Sequence, residues 1–299
     1  MLGREPENEA VVQASTRLPS YEALLEGFLD CDEFIQRFPV DGFRSVYLQP
    51  PQPVDVDVAE TDLEAMFERI RGEWSKLGEE VPYWSVMTDD AYRGKTLGPD
   101  ETQSFFETGE EAARTIDAFA RRAKVATPTG RCVEFGAGVG RVTSPLARRF
   151  ETVVAVDISP ANLAICEEVM AQQGVQNVTP LLLRSPADVR LIPDYDFLFS
   201  TIVFQHNPPP VQLFLLDVLL SKLRPGGAFL FQTTTHMPSY RFEAKAYLAS
   251  EPMGMEMHNV PMAAVIGLIS KRQAVLHEVL MDHWTGIYGS HTFFGVKPA

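Results

Sequence analysis

No apolar run in this 299-residue chain approaches the roughly 20 residues that cross a bilayer, and the N-terminus, MLGREPENEA, lacks the apolar stretch of a signal peptide. Cysteine is scarce. Cys31, Cys132 and Cys166 are odd in number, far apart and without metal-ligand spacing, which argues against a disulfide framework and for a reducing cytosol. Cys132 reads as a small core residue. Positive charge is also short, 26 Lys plus Arg against 40 Asp plus Glu, for a net charge of −14. Such a chain is poorly suited to nucleic-acid backbones or anionic membranes. Internal repeats and low-complexity tracts are missing as well. The expectation is a cytoplasmic protein with no membrane span and no nucleic-acid partner. Its 45% hydrophobic and 22% charged residues are ordinary for a globular fold.

The most informative stretch is RCVEFGAGVGRVTSPLARRFETVVAVD, residues 131–157. The apolar run 132–135 reads as a buried strand and passes directly into Gly136-Ala137-Gly138-Val139-Gly140. A helix is predicted over 141–150, then a second strand over 153–156 that ends on Asp157. This β-loop-α-β unit favours a nucleoside-bearing ligand at the carboxyl edge of a sheet, with glycines allowing close approach to main-chain N–H groups and the acid accepting from a ribose. A dinucleotide fingerprint would place its third glycine at position 141, where this chain has Arg141. Glu134, two residues before the first glycine, would repel a pyrophosphate and suits a ligand with a cationic centre and an ammonium group.

On these residues the stretch resembles the first two motifs of the class I methyltransferases that use S-adenosyl-L-methionine (SAM). The resemblance covers about residues 105–299. It is strengthened by a strand running into Phe204-Gln205-His206 and by the later turn Leu223-Arg224-Pro225-Gly226-Gly227. The phrases VFQHNPPP and PYWSV are also similar to bacterial methyltransferases found with surface-polysaccharide genes. The resemblance implies an α/β, Rossmann-like sheet of seven mostly parallel strands with an antiparallel C-terminal hairpin, preceded by a helical N-terminal module. It implies SAM as cofactor, held by Glu134, Gly136, Gly138, Gly140, Arg141, Asp157, Ile158, Asp188 and Phe204. Asp188 takes the adenine amino group in this reading, and Phe105 and Phe106 lie near the cofactor mouth.

Three segments follow from the pattern: a helical module and linker over 1–80, a cap and helix over 81–129, and a SAM-binding domain over 130–299 with an insertion at about 236–273. In the first, two short amphipathic helices are expected within 21–38, closed by the proline-rich 49–53. A further helix from residue 61 would be capped by Thr61 and Glu64, with Leu63, Met66, Phe67, Ile70 and Trp74 on one face. Tyr83 and Trp84 lie in a loop where they either cover the cofactor or grip a substrate, or else seat the N-terminal module as a hydrophobic plug. A helix is expected over 109–124 and another over 160–173 behind Ser159 as cap. Strands follow at 178–183, 196–203 and 228–232, with a helix at 211–223. Residues 240–247 read as helical, then a last helix spans 261–271, and the hairpin is formed by 275–282 and 291–297.

A hydroxyl acceptor needs a proton acceptor, which makes histidine the first candidate. Of six histidines, His206, His236 and His258 fall where the resembled fold has its active site. For His206 a base and a structural loop ligand stand side by side. The expected activity is O-methylation of a sugar, a glycan precursor or a small metabolite, without a metal. The chain is also compatible with a homodimer. The rivals are a carboxylate or peptide methyltransferase, a non-catalytic SAM-binding scaffold, and an NAD-dependent oxidoreductase.

Overall fold

The computed structural model describes Glu9, Gln13 and residues 52–299 except Pro238, His283 and residues 286–288. The two helices expected within 21–38, Cys31, and most of the 49–53 linker lie outside the described residues. The chain divides into two units, Met1–Gln52 and Pro53–Ala299, and every element below belongs to the second.

Seven strands form one sheet in the order β3-β2-β1-β4-β5-β7-β6. They are β1 (Arg131–Phe135), β2 (Thr152–Asp157), β3 (Val178–Leu182), β4 (Tyr195–Ser200), β5 (Leu223–Thr234), β6 (Val275–Asp282) and β7 (Ser290–Val296). β1 to β5 run parallel, and β7 pairs antiparallel with both β5 and β6. The chain reverses its strand order between β1 and β4, the switch point where open α/β sheets bind ligands. Side chains alternate between the two faces as strand geometry requires. Val133, Leu198, Phe229, Phe231 and Phe293 join the larger core, while Cys132, Phe197, Leu230 and Phe294 join the smaller one on the opposite face.

Helix α1 (Glu60–Glu80) buries Leu63, Met66, Phe67 and Ile70 in the larger core. The compact unit begins at Pro53, and this helix packs into its larger core. Its N-cap is Ala59 and no side chain caps it, so Thr61 and Glu64 do not form the expected box. The helix starts two residues too early, which places Thr61 inside its first turn.

Residues Pro82–Val86 form a short helix, α2, where a loop was expected. Helix α3 (Pro99–Ala123) starts ten residues before the expected 109. Pro99 suits its first position, Asp100 and Glu101 favour its N-terminus, and Arg121 and Arg122 its C-terminus. Phe105, Ala113, Ile116 and Phe119 are its buried face. Conversely α4 (Thr143–Ala147) is much shorter than 141–150. Asn177 donates to the carbonyls of Ala147, Phe150 and Glu151 at 2.8, 3.0 and 3.3 Å, taking up oxygens that would otherwise continue a helix.

Helix α5 (Pro160–Gln172) is capped by Ser159, whose hydroxyl accepts from the Asn162 amide at 3.3 Å. Helix α6 (Pro209–Lys222) passes directly into β5, because the Arg224–Gly227 turn is absorbed into the strand rather than preceding it. Helices α7 (Ala244–Ala249) and α8 (Met262–Lys271) complete the unit. No helix among the described residues is long and apolar enough to cross a membrane.

Candidate functional site

The carboxyl ends of β1, β2 and β4, roofed by α1 and α2, enclose a cavity with about 900 Å³ of free space when its open mouth is included. One wall is the turn after β1. Gly136 and Gly138 have φ of +85° and +54°, which only glycine adopts freely. A Cβ on Gly136 would sit 2.1 Å from Val203 Cγ2, and one on Gly138 2.5 Å from Val86 Cγ2, so the turn is closed over by the β4 loop and by α2. Gly140 instead faces Cys166 of α5 and serves helix packing.

The main-chain donors of this turn are already committed. The Gly136 and Ala137 N–H groups donate to Val156 O at 2.8 and 2.9 Å, Gly140 N–H to Ala137 O at 3.0 Å, and Gly138 N–H to Asp157 Oδ2 at 2.7 Å. A pyrophosphate would find no free donor at these four positions. The expectation that a ligand docks on these N–H groups gives way to a turn whose donors hold the turn itself.

Two acids face the cavity in their place. Glu134 is 3% exposed and accepts from Thr143 Oγ1 at 2.5 Å. Burial pushes its pKa up to about 8, against the pull of the Thr143 hydrogen bond and the Arg141 charge. Asp157, at the tip of β2, accepts from Gly138 N–H and, through Oδ1, from Ser159 N–H at 2.8 Å. Burial raises its pKa too, with these backbone bonds opposing. Arg141 is buried, donates through Nη1 to Thr108 Oγ1 at 3.1 Å, and leaves Nε without a partner. Asn162, another cavity residue, has a buried Oδ1 that no donor reaches. A buried carboxylate in need of a cation, a buried guanidinium with a spare donor and an unused amide oxygen fit a ligand bearing an ammonium, a carboxylate and ribose hydroxyls. SAM has all three.

His206 also lines the cavity, in a one-turn 3₁₀ segment, Phe204–His206. Its Nδ1 is 3.1 Å from the carbonyl oxygen of Glu256, and its ring centroid is 4.8 Å from that of Trp74 on α1. A carbonyl only accepts, so Nδ1 carries the proton and Nε2 the lone pair. Burial lowers the His206 pKa to about 4, leaving the imidazole neutral in the physiological range.

The remaining expected site residues are dispersed. Ile158 lines the cavity. Phe204 stacks on Phe135 and meets Phe231 edge-on, in the core. Asp188 turns back on its own loop, accepting from the Arg184 and Ser185 amides at 2.7 and 3.0 Å, and is not part of the cavity wall. Tyr83 packs edge-on to Phe105, and Trp84 lies under the Arg93 guanidinium; their neighbours Ser85 and Val86 face the cavity instead. His236 is half-buried and outside the cavity wall. His258 is buried among the rings of Tyr240, Phe242 and Tyr247, with Nδ1 3.0 Å from the Tyr240 hydroxyl and Nε2 3.4 Å from Glu256. Burial holds its pKa below the ordinary histidine value. Among the described residues no group of three His, Cys, Asp or Glu is placed to hold a metal. The sequence reading missed Trp74 and Phe67 as cavity residues because their helical spacing signals a buried face without saying what that face covers.

A family profile described as a methyltransferase domain matches residues 132–227. The ubiquinone biosynthesis O-methyltransferase of Xanthomonas campestris pv. campestris is 26% identical over 123 residues, 39% of this chain and 48% of the relative. The match thus spans about half the length of these curated relatives. Among solved structures, magnesium protoporphyrin IX methyltransferase from Synechocystis PCC 6803 with bound S-adenosylhomocysteine (SAH) is similar with a TM-score of 0.53 and 15% identity, covering 76% of this chain and 98% of that one. Phosphoethanolamine N-methyltransferase 1 from Haemonchus contortus, also with SAH, gives 0.53 and 15%, covering 81% and 50%. The profile match thus falls on the strands and turn that carry Glu134 and Asp157, so residues 132–227 match a methyltransferase domain, and they lie within a sheet that has the fold of these methyltransferase structures.

Proposed function

We propose that this chain transfers a methyl group from SAM to a hydroxyl oxygen of a small acceptor, a sugar, glycan precursor or compact metabolite, with His206 taking the hydroxyl proton. The observation that carries this reading is one cavity whose wall contains Glu134, Asp157 and a neutral His206. The cofactor, when bound, supplies a methyl group already activated on a sulfonium, so the protein has mainly to position the acceptor and accept its proton.

The residues divide that work. Glu134 compensates an ammonium, Asp157 holds ribose hydroxyls, and Arg141 with its unpartnered Nε suits a carboxylate. Phe67, Ile70 and Trp74 of α1 form an apolar roof that excludes water from the reacting end. Trp74, beside His206, offers a flat face for a sugar or aromatic ring. His206 Nε2 carries the lone pair, which accepts a long 3.5 Å hydrogen bond from Gln205 Nε2, and the Glu256 carbonyl fixes that tautomer. The name of the Xanthomonas relative, an O-methyltransferase, agrees with an oxygen acceptor. The committed N–H groups of the turn and Arg141 in place of a third glycine argue against NAD.

Calorimetric titration with SAM, SAH and NAD comes first, followed by an acceptor screen over sugars, nucleotide sugars and small hydroxylated compounds. His206→Ala should lower turnover by about 10²–10⁴-fold, the usual worth of a positioned base, while SAH affinity is kept. Full turnover in that variant would remove His206 from the chemistry. Binding of NAD alone would overturn the reading of the site.

A further inference from the structure

A buried polar chain runs from the outer strands of the sheet to the loop that carries His206, and nothing in the cofactor site requires it. Its cavity end is Ile202, a β-branched residue at φ +59°, a conformation that such side chains rarely adopt. Ile202 lies between Thr201 and Val203 on the cavity wall. Its N–H donates to Gln232 Oε1 at 2.7 Å. Gln232, on β5, is completely buried, and its Nε2 donates to Ser290 Oγ at 2.7 Å. Ser290, on β7 and equally buried, donates to Asp282 Oδ1 at 2.5 Å, and Thr292 donates to Asp282 Oδ2 at 2.7 Å.

The direction of this chain is fixed by its last member. Both Asp282 oxygens accept, from Ser290 and Thr292, so the Ser290 proton is committed to Asp282 and Ser290 Oγ is left to accept from Gln232. Gln232 must then point its amide nitrogen at β7 and its oxygen at Ile202. Reversing the amide would set two donors against each other at Ile202 and lose a donor at Ser290, an expensive arrangement where no water reaches.

On its other side Ile202 governs the turn that holds His206. Val203 sits against the glycine turn, with Cγ2 2.1 Å from where a Gly136 Cβ would be. The Val203 carbonyl accepts from His206 N–H at 3.1 Å and from Asn207 Nδ2 at 3.0 Å. The backbone bend at Ile202 therefore sets the carbonyl on which the His206 turn is built.

We infer that Asp282, Ser290 and Gln232 are positioning residues, a relay that clasps Ile202 in its left-handed conformation and so orients the His206 ring toward the acceptor. The inference rests on the reading of His206 as the proton acceptor, but its test does not need the acceptor. Protein labelled with ¹⁵N-histidine is observed near neutral pH, His206→Ala identifying the resonance. In the wild type, the His206 nitrogens should show a single tautomer with the proton on Nδ1.

Gln232→Leu should shift those signals toward the averaged values of a mobile, mixed-tautomer ring, and Ser290→Ala should shift them in the same direction. Adding Ile202→Gly to Gln232→Leu should restore them, because glycine adopts the bend without strain and so needs no clasp. SAH affinity, measured in parallel, should stay within about tenfold of wild type. A folded Gln232→Leu protein whose His206 signals coincide with wild type overturns the relay, as does failure of Ile202→Gly to restore them. Should Gln232→Leu not fold, Ser290→Ala, which removes one hydroxyl, decides the same question. A wild-type protein that binds no SAH refutes the cofactor reading separately, since the histidine signals report on the relay with or without ligand.

Discussion

Glu134 and Asp157 are both acids in the same cavity, and their surroundings give them different work. Glu134 has one hydrogen-bond partner and a pKa raised to about 8, so in the free protein it is mostly protonated at neutral pH. An ammonium placed beside it favours the ionised form. Binding SAM or SAH below pH 8 should therefore release close to one proton, and affinity should rise with pH by at most about tenfold per unit. Calorimetry in buffers of differing ionisation enthalpy measures the release; a binding heat independent of buffer would show that no cation meets Glu134. The release should vanish in Glu134→Gln. Asp157 acts through fixed hydrogen bonds. Asp157→Ala should weaken SAH binding by about 1–3 kcal/mol, the range for charge-assisted hydrogen bonds, and unchanged affinity would exclude Asp157 from the site.

At the level of elements, α1 is the roof of the cavity, and its end is locked to α5 through a missing side chain. A Cβ on Gly78 would lie 2.2 Å from Ser159 Oγ and 2.9 Å from Asn162 Oδ1. Helix propensity alone makes Gly78→Ala favourable by about 1 kcal/mol. Overpacking costs about 1–3 kcal/mol, and the displaced hydroxyl is the α5 cap, whose loss costs about 0.5–2 kcal/mol more. Packing wins: urea unfolding should show Gly78→Ala destabilised by roughly 1–3 kcal/mol, whereas a stabilised variant would mean that α1 lifts freely from α5. This contact also marks where the sequence stops being legible. The strands, Ser159 as cap, the C-terminal hairpin and the Glu134, Gly136, Gly138 and Asp157 cluster follow from local pattern, because alternation and turn chemistry act within a few residues. The position of α1 over the site, Trp74 against His206, and Ser85 rather than Tyr83 facing the cavity depend on contacts across more than a hundred residues or on a one-residue helical phase. Gln232 reads as one more strand residue until the sheet order brings Ser290 beside it.

For the Pro53–Ala299 unit as a whole, the buried titratable groups set a pH optimum of stability. His206 has a folded pKa of about 4 against an ordinary 6.5, so its contribution is complete above pH 6.5 and is lost as pH falls toward 4. Glu134 is the opposite case, raised from 4.5 to about 8: its contribution is complete below pH 4.5 and is lost as pH rises toward 8. Between 4.5 and 6.5 the two cancel, since each changes by one proton with opposite sign. His258, also held below its ordinary value by burial, then tips the balance toward lower stability on the acid side. Above pH 6.5 the histidine contributions are complete and Glu134, with Asp157 raised in the same direction, continues to act. Unfolding free energy should therefore peak near pH 6.5 and fall by about 2 kcal/mol by pH 8, some 1.5 pH units at ~1.4 kcal/mol each. Because the alkaline loss comes from an unpaired buried carboxylate, saturating SAH should flatten that limb while leaving the acid limb in place, and Glu134→Gln should flatten it without ligand. Denaturant unfolding at a series of pH values, with and without SAH, measures both limbs; an alkaline loss that neither SAH nor Glu134→Gln removes would place its origin outside the cofactor site.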